Sequence, residues 1–347
     1  MQIQPRRVLV TGGAGYIGSH ACLALLESGC RVVSIDDLSR GHARAHGVLA
    51  RIGGERFASH EVSIHSTDAL ADILALERID AVMHFAAFAE VGESMDQSLR
   101  YAYNNVAGTL SVLQAMERAD VGTLVFSSSC ATYGVPPDHL VPIREDCPQV
   151  PINPYGASKL YGERMIIEFA ASRQRAGRRF ACAMLRYFNV AGADPQGRLG
   201  EDHSPESHLI PICLQAALGQ RPGVQVFGSD WPTHDGTCIR DYVHVSDLVR
   251  AHLSVQEVLR PGDVRRYNIG IGRGFSVREC VESVRRVTGV PITSSDGPRR
   301  DGDPPVLTAD ASLIQRELGW QPVWTDLDAI VDSAWQWFKA NPRGWSG

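Results

Sequence analysis

In the stretch NPYGASKLYGE a tyrosine follows a proline and a lysine stands four residues further on, at Tyr155 and Lys159. Positions i and i+4 of a helix share a face, so an ammonium there can reach the neighbourhood of the phenol. With an unperturbed pKa of about 10, a phenol needs about three units of depression, roughly 4 kcal/mol, to act as a base at neutral pH. Positive charge is the direct means, and an oxidised nicotinamide would add a second cation. Pro154 suits the first position of a helix and fixes how the chain enters it. Taken alone, Y-x-x-x-K equally describes an amphipathic helix with an interfacial tyrosine and a solvated lysine.

Two further signals give it a context. FSSS closes a strand-like run, placing Ser129 26 residues before Tyr155. VLVTGGAGYIGSH places Gly12, Gly13, Gly15 and Gly18 between an apolar run and a helical pattern. Gly13, Gly15 and Gly18 satisfy G-x-G-x-x-G, whose missing side chains let the backbone approach a pyrophosphate seated on a helix N-terminus. Asp36 ends the next strand-like run, where a carboxylate can accept both adenosine ribose hydroxyls and repel a 2'-phosphate, favouring NAD over NADP.

These groups need elements to hold them. RVLVTGG, CRVVSIDD, IDAVMHFAA, GTLVFSSS and FACAMLRYFNV read as strands, and IGSHACLALLESG and NNVAGTLSVLQAMERA read as helices between them. The alternation predicts an α/β fold: a Rossmann-like, doubly wound parallel sheet with a smaller C-terminal α/β substrate lobe. After about Asn189 long loops rich in Gly, Pro, Asp and His take over, as loops that hold a ligand do. The expected division is 1–189 for an NAD-binding domain, with a later return near 238–255, and 190–347 for a substrate lobe. WTDLDAIVDSAWQWFKANP reads as an amphipathic helix closing that lobe, with Trp335 and Trp337 in its core.

Composition narrows the function classes. The 347 residues carry a net charge of -5 with Lys and Arg dispersed, which leaves no basic footprint for nucleic acid. Eight cysteines without a C-x-x-C pair suggest neither a zinc cage nor a disulfide framework, which fits a reducing cytoplasm. MQIQPRRVLVTGG has no apolar signal core and no run of 18 apolar residues occurs, so a membrane role is not expected. The histidines form no H-E-x-x-H, and His42 and His46 fall in a loop-like region, so no metal is expected.

TGGAGYIG, FSSSCATYG, NPYGASK and LRYFNVAGA resemble the signatures of the extended short-chain dehydrogenase/reductases. HFAAFAEVGES, FGSDWPTHDGTCIRDYVHV and PRRDGDPP resemble the branch that interconverts UDP-glucose and UDP-galactose, and the likeness runs from about residue 6 to 340. The resemblance implies a catalytic trio of Ser129, Tyr155 and Lys159. Ser129 would hydrogen-bond the 4-hydroxyl and Tyr155 would take its proton. The C4 hydride would pass to NAD, the 4-keto sugar would turn over, and the hydride would return to its other face. Similar sugar dehydratases carry Thr-Asp-Glu where Ser129-Cys130-Ala131 stands, because expelling water needs a carboxyl acid and a carboxylate base.

By the same resemblance NAD is bound by Gly12, Gly15, Tyr16, Ile17 and Gly18, by Asp36, Asp37 and Leu38, by Ile64, Phe85, Ala86, Ala87 and Asn105, and by Tyr155, Lys159 and Phe188. Ser63 and Ala89 replace an Asp and a Lys that hold the dinucleotide in some members, so weaker binding is expected. The UDP-sugar maps onto Ser129, Asn189, His208, Leu209, Phe227, Arg240, Arg300 and Asp303. The two arginines suit a pyrophosphate and Asp303 a ribose. His208 replaces an amide seen in some members. Leu307 aligns on a position whose bulk helps admit or refuse an N-acetyl group, and its intermediate size leaves UDP-pentoses and UDP-N-acetylhexosamines open. The resemblance also implies a homodimer formed by the helix after Phe88 and the helix carrying Lys159. A non-catalytic NAD sensor is the rival of a different class, and the intact trio speaks against it.

Overall fold

The computed structural model describes residues 6–300 and 303–346. Met1–Pro5 of the N-terminal run and Asp301 and Gly302 of PRRDGDPP lie outside the described residues. The chain begins β1 (Arg7–Thr11), α1 (Tyr16–Glu27), β2 (Arg31–Asp36), α2 (Ala43–Gly53), β3 (Phe57–Glu61), α3 (Thr67–Leu76) and β4 (Ala81–His84). Three helices follow, α4 (Val91–Asp96), α5 (Ser98–Tyr101) and α6 (Gly108–Arg118), then β5 (Thr123–Ser129), α7 (Pro154–Arg175), β6 (Ala181–Tyr187) and β7 (Asn189–Ala191). The remainder is α8 (Leu209–Ala217), β8 (Val224–Phe227), β9 (Ile239–His244), α9 (Val245–Val258), β10 (Val264–Ile269), β11 (Gly274–Ser276), α10 (Val277–Thr288), β12 (Ser294–Gly297), β13 (Val306–Leu307), α11 (Ser312–Leu318) and α12 (Leu327–Ala340).

One sheet has the order β10-β6-β5-β4-β1-β2-β3. The pairs β1–β2, β1–β4, β2–β3 and β4–β5 all run parallel. Strand order reverses between β1 and β4, and in such sheets ligands bind beyond the carboxyl ends of the strands at that reversal. The glycine loop leaves β1 there. Leu9, Val82 and Leu124 of three strands pack with Leu70 and Leu74 of α3, Val112 and Met116 of α6 and Ile166 of α7. Apolar side chains from neighbouring strands and three helices therefore make one continuous core on that face, the reason these strands are nearly unbroken apolar runs.

By contact density the chain forms two units. The first comprises residues 6–132, Pro151–Arg186 and Val249–Tyr267; the second comprises Tyr133–Val150, Tyr187–Leu248 and 268–300 with 303–346. The segment 238–255, read in the sequence as a return, divides. β9 is the middle strand of the second unit, paired with β7, β11 and β13, and the chain rejoins the first unit only from Val249. β9 is apolar enough to pass for a strand of the large sheet, and its partners are distant in sequence. Asp241 on β9 accepts hydrogen bonds from the backbone N–H groups of Ile271, Gly272 and Ala309 at 2.8, 3.0 and 3.1 Å and so joins three segments of this unit. A capping box of Ser276 and Glu279 starts α10. Trp335 and Trp337 are both buried on α12.

Candidate active site

The loop from β1 to α1 needs its glycines for close packing as much as for a ligand. Gly12 lies at φ +70, and a Cβ there would stand 2.7 Å from Ala86 N; a Cβ on Gly18 would stand 2.1 Å from Gly12 O. The two glycines draw α1 onto the loop and the loop onto the end of β4. At Gly15 an added Cβ would meet only Gly12 O, at 3.3 Å, and no side chain caps α1. An uncapped helix N-terminus behind a glycine with open space beside it fits a pyrophosphate.

Asp36 ends β2 almost buried. Its Oδ2 accepts from Ala14 N at 3.0 Å and its Oδ1 from Leu38 N at 2.9 Å. Burial raises its pKa, and the two backbone donors pull the other way. Each carboxylate oxygen keeps a second lone pair, so the group can still accept a ribose hydroxyl. Asp37 differs: its Oδ1 accepts from Ser39 N and Oγ, which ties it into its own turn. Leu38 holds φ +57. Ala86 N donates to Thr11 Oγ1 at 3.2 Å, and the Phe85 ring packs against His252. Ile64 is a core residue under Gly108.

Asn105, which the resemblance places among the residues lining the cofactor, is itself held by hydrogen bonds within the chain. It lies in a π-helical stretch, Ala102–Ala107, between α5 and α6. Its Oδ1 accepts from Phe88 N at 2.9 Å, and its Nδ2 donates to Phe88 O at 3.0 Å and to Ser158 Oγ at 2.9 Å. Both amide hydrogens are thereby used. Asn105 locks the segment after β4 to α7, and π-type bulges of this kind recur where a side chain must be re-aimed at a functional site.

The opening motif becomes geometry on α7. Asn153 caps the helix, its side chain accepting from Gly156 N at 2.8 Å, and Pro154 occupies the first turn. A Cβ on Gly156 would lie 2.3 Å from Ala131 O, and one on Gly162 would lie 2.8 Å from the Phe126 ring. The two glycines let the helix lie directly against β5 and the turn beyond it. That approach brings the Tyr155 phenol beside the Ser129 side chain. Ser158 donates to Tyr155 O at 2.7 Å and so ties Asn105 to the same turn.

The chain's own groups do not by themselves give the depressed phenol that Lys159 and an oxidised nicotinamide are together expected to produce. Burial pushes Tyr155 up to about 12, and the neighbouring Ser129 side chain only partly offsets this. Burial likewise brings Lys159 down to about 7 against the upward pull of Glu163. The Lys159 ammonium donates to Ser127 O at 2.8 Å. A helical face puts the two groups side by side, but burial weakens the ammonium's charge and the strand carbonyl takes one of its hydrogens. A further positive charge at the phenol is needed to complete the tuning.

Sequence reasoning passed over Glu163, one turn beyond Lys159. Its oxygens accept from Arg186 Nε at 2.9 Å and Nη2 at 2.7 Å, and also from the Ser128 hydroxyl. Both charged side chains are almost fully buried. The signal was present as K-x-x-x-E, which in a sequence looks the same as a solvated ion pair.

In the second unit, β7 pairs with β9 so that Asn189 faces Tyr242, and β13 pairs with β9 so that Leu307 faces Arg240. Arg240 Nη2 lies 3.4 Å from Asp303 Oδ1, and the Arg300 guanidinium stacks 3.9 Å from the Phe227 ring centre. Asn189, Arg240, Asp303 and Leu307 are thus brought onto one small sheet and its margin. Leu209 begins α8, and Phe188 precedes β7 with its N–H on Ile269 O. His208 sits between Glu201 and Glu206, at 3.1 and 3.0 Å.

A glycine loop at the sheet's reversal, an acidic strand end and a Ser-Tyr-Lys trio on a tightly docked helix are the marks of one group of proteins. Residues 8–270 match the model of the NAD dependent epimerase/dehydratase family, and the chain belongs to that family. It is 48% identical over 340 residues to a UDP-glucose 4-epimerase of Halalkalibacterium halodurans, covering 98% of this chain and 97% of the relative. It is 45% identical over 345 residues to a probable UDP-arabinose 4-epimerase of Arabidopsis thaliana, covering 98% and 82%. A crystal structure of a UDP-glucose-4-epimerase from Stenotrophomonas maltophila, with bound NAD and formylated UDP-arabinopyranose, superposes with a TM-score of 0.90 at 41% identity, covering 97% and 99%.

Proposed function

We propose that this enzyme interconverts UDP-glucose and UDP-galactose with NAD, by oxidation at C4, rotation of the 4-keto sugar and re-reduction. The observation that carries this reading is the buried Tyr155 neighbouring Ser129, with Cys130 and Ala131 next in the chain. Two hydroxyls can move the 4-hydroxyl proton, whereas a thiol and a methyl cannot expel water from the sugar. Bound NAD supplies the hydride acceptor and donor and, when oxidised, the additional positive charge at the phenol.

The chain's residues do the rest. Ser129 orients the 4-hydroxyl, Tyr155 takes and returns its proton, and Lys159, with a pKa of about 7, holds a proton that is readily exchanged at neutral pH. Asp36 and the first turn of α1 bind the two ends of the adenosine diphosphate portion, and Arg240 and Arg300 face the UDP pyrophosphate with Asp303 on its ribose. Residues 1–189, with their return segment, serve NAD; 190–347 serve the UDP-sugar. The test is UDP-glucose formation from UDP-galactose by the purified protein. A second reading, a UDP-arabinose/UDP-xylose epimerase, is favoured by the Arabidopsis relative's comparable identity. Product from UDP-arabinose alone would select it, and product from neither sugar would defeat both.

Ser63 and Ala89 remove polar contacts to the dinucleotide, so the dialysed enzyme is expected to need added NAD for full rate. Stoichiometric NAD surviving prolonged dialysis would contradict this. No disulfide joins any of the eight cysteines, consistent with a cytoplasmic enzyme, and no described helix is long and apolar enough to cross a membrane.

We also infer a homodimer. Leu99 is 83% exposed, and Tyr103, Leu110 and Tyr161 are exposed with it along α5, α6 and α7. Leu99, Ala102, Val106, Ile152, Ala157 and Tyr161 line an open groove of about 430 Å³. Large apolar side chains gathered on one helical face mark an interface. Replacing Leu99 and Tyr161 by glutamate is expected to convert a dimer into monomers in sedimentation velocity; an unchanged profile would place the interface elsewhere.

A further inference from the structure

Between β7 and α8 the chain reads E-x-H-x-x-E-x-H, and this loop folds back on itself. The Nδ1 atom of His203 lies 3.4 Å from Glu201 Oε1 and 3.4 Å from Glu206 Oε2, and that of His208 lies 3.1 Å from Glu201 Oε1 and 3.0 Å from Glu206 Oε1. One donor atom from each of the four residues lies within 4.8 Å of the other three. A tetrahedral zinc ion with bonds of about 2.0–2.1 Å places neighbouring donors about 3.3–3.4 Å apart. With Glu206 contributing Oε2, three measured nitrogen–oxygen edges, 3.1 to 3.4 Å, already approach that spacing.

A second observation separates the cluster from an ordinary group of ion pairs. The Glu206 side chain is 1% exposed. Its Oε1 accepts from Ser207 N at 2.9 Å and His208 N at 2.8 Å, while its buried Oε2 has no hydrogen-bond partner among the described residues. That oxygen is turned toward His203. Its ion-pair neighbour, His203 Nδ1 at 3.4 Å, makes no well-formed hydrogen bond with it, and a cation at the centre of the four ligands would satisfy this buried oxygen.

Charge leads the same way. The loop sets two carboxylates, Glu201 and Glu206, against two imidazoles, His203 and His208. Two carboxylates thus require two positive charges. One divalent ion supplies both with the imidazoles neutral, so the site is uncharged overall. Mixed imidazole and carboxylate donors at tetrahedral spacing suit zinc better than calcium or magnesium, which take six or more oxygens.

We propose that Glu201, His203, Glu206 and His208 bind a structural zinc ion that joins the loop after β7 to the start of α8. The sequence reading expected no metal because it sought ligands on a helix, whereas these come from a loop. His208, mapped by resemblance to the UDP-sugar, becomes a zinc ligand through Nδ1. Full-length protein produced in zinc-supplemented medium and desalted is expected to carry about one zinc per chain by elemental analysis. Glu201→Gln combined with His203→Ala is expected to weaken zinc binding at least ~10-fold and leave the desalted chain with little metal. Because that variant can fail to fold, the unaltered protein is also loaded with cobalt(II), which is expected to give the visible absorption of a four-coordinate centre and to lose it on adding zinc. Wild-type protein without zinc and without that absorption would overturn the proposal, as would a folded double variant that keeps a full equivalent.

Discussion

Replacing Tyr155 by phenylalanine is expected to lower the turnover of UDP-galactose by about 10²–10⁴-fold, the range a positioned acid/base contributes. The change removes one oxygen from a buried ring and leaves α7, with its Asn153 cap and its glycine contacts to Ala131 and Phe126, unaltered. NAD content and melting temperature should therefore match the parent's. The size of the effect follows from the site's isolation. The phenol is buried beside Ser129, and no carboxyl group stands at positions 130 and 131 to take over the proton. Turnover within a few-fold of the parent, with the fold intact, would remove Tyr155 from the chemistry.

Glu163→Ala is expected to produce the largest loss of stability, about 3–5 kcal/mol, read from urea denaturation. Glu163 and Arg186 form a forked ion pair in the core, their side chains 1% and 2% exposed. Truncating the acid leaves the guanidinium buried without that carboxylate, which costs more than the pair itself contributes. The Ser128 hydroxyl and the Lys159 ammonium also lose a neighbour. Glu163→Leu combined with Arg186→Met should recover most of the loss, because two apolar side chains of similar volume need no partner. A loss below about 1 kcal/mol for the single change would mean that water reaches the pair, contrary to its burial.

Much of this was legible in the sequence, for reasons that can be stated residue by residue. The βα alternation announced the parallel sheet because strands covered on both faces must be apolar throughout. Gly12, Gly15 and Gly18 announced the turn, because a Cβ at Gly12 or Gly18 would stand under 3 Å from backbone and Gly15 leaves open space at the helix start. Tyr155 and Lys159 fall on one helical face by arithmetic. Distance-dependent features were hidden. Nothing local shows that β9 is the centre of a second sheet, or that Asn105 spends its amide on Phe88 and Ser158. Burial was invisible too, and it turns Glu163 into a core ion and raises the phenol that Lys159 was expected to lower. The four ligands of the proposed zinc site stand in plain view as E-x-H-x-x-E-x-H, and only the fold of the loop gives them a common centre.

The most direct test runs the reaction in deuterium oxide, starting from UDP-galactose, and examines the product's sugar carbons by NMR. Hydrogen that leaves C4 as hydride and returns as hydride never meets solvent. The expected result is a mixture of UDP-glucose and UDP-galactose with no deuterium on carbon at C4, C5 or C6. Deuterium at C5 or C6, or a dehydrated sugar among the products, would contradict the account.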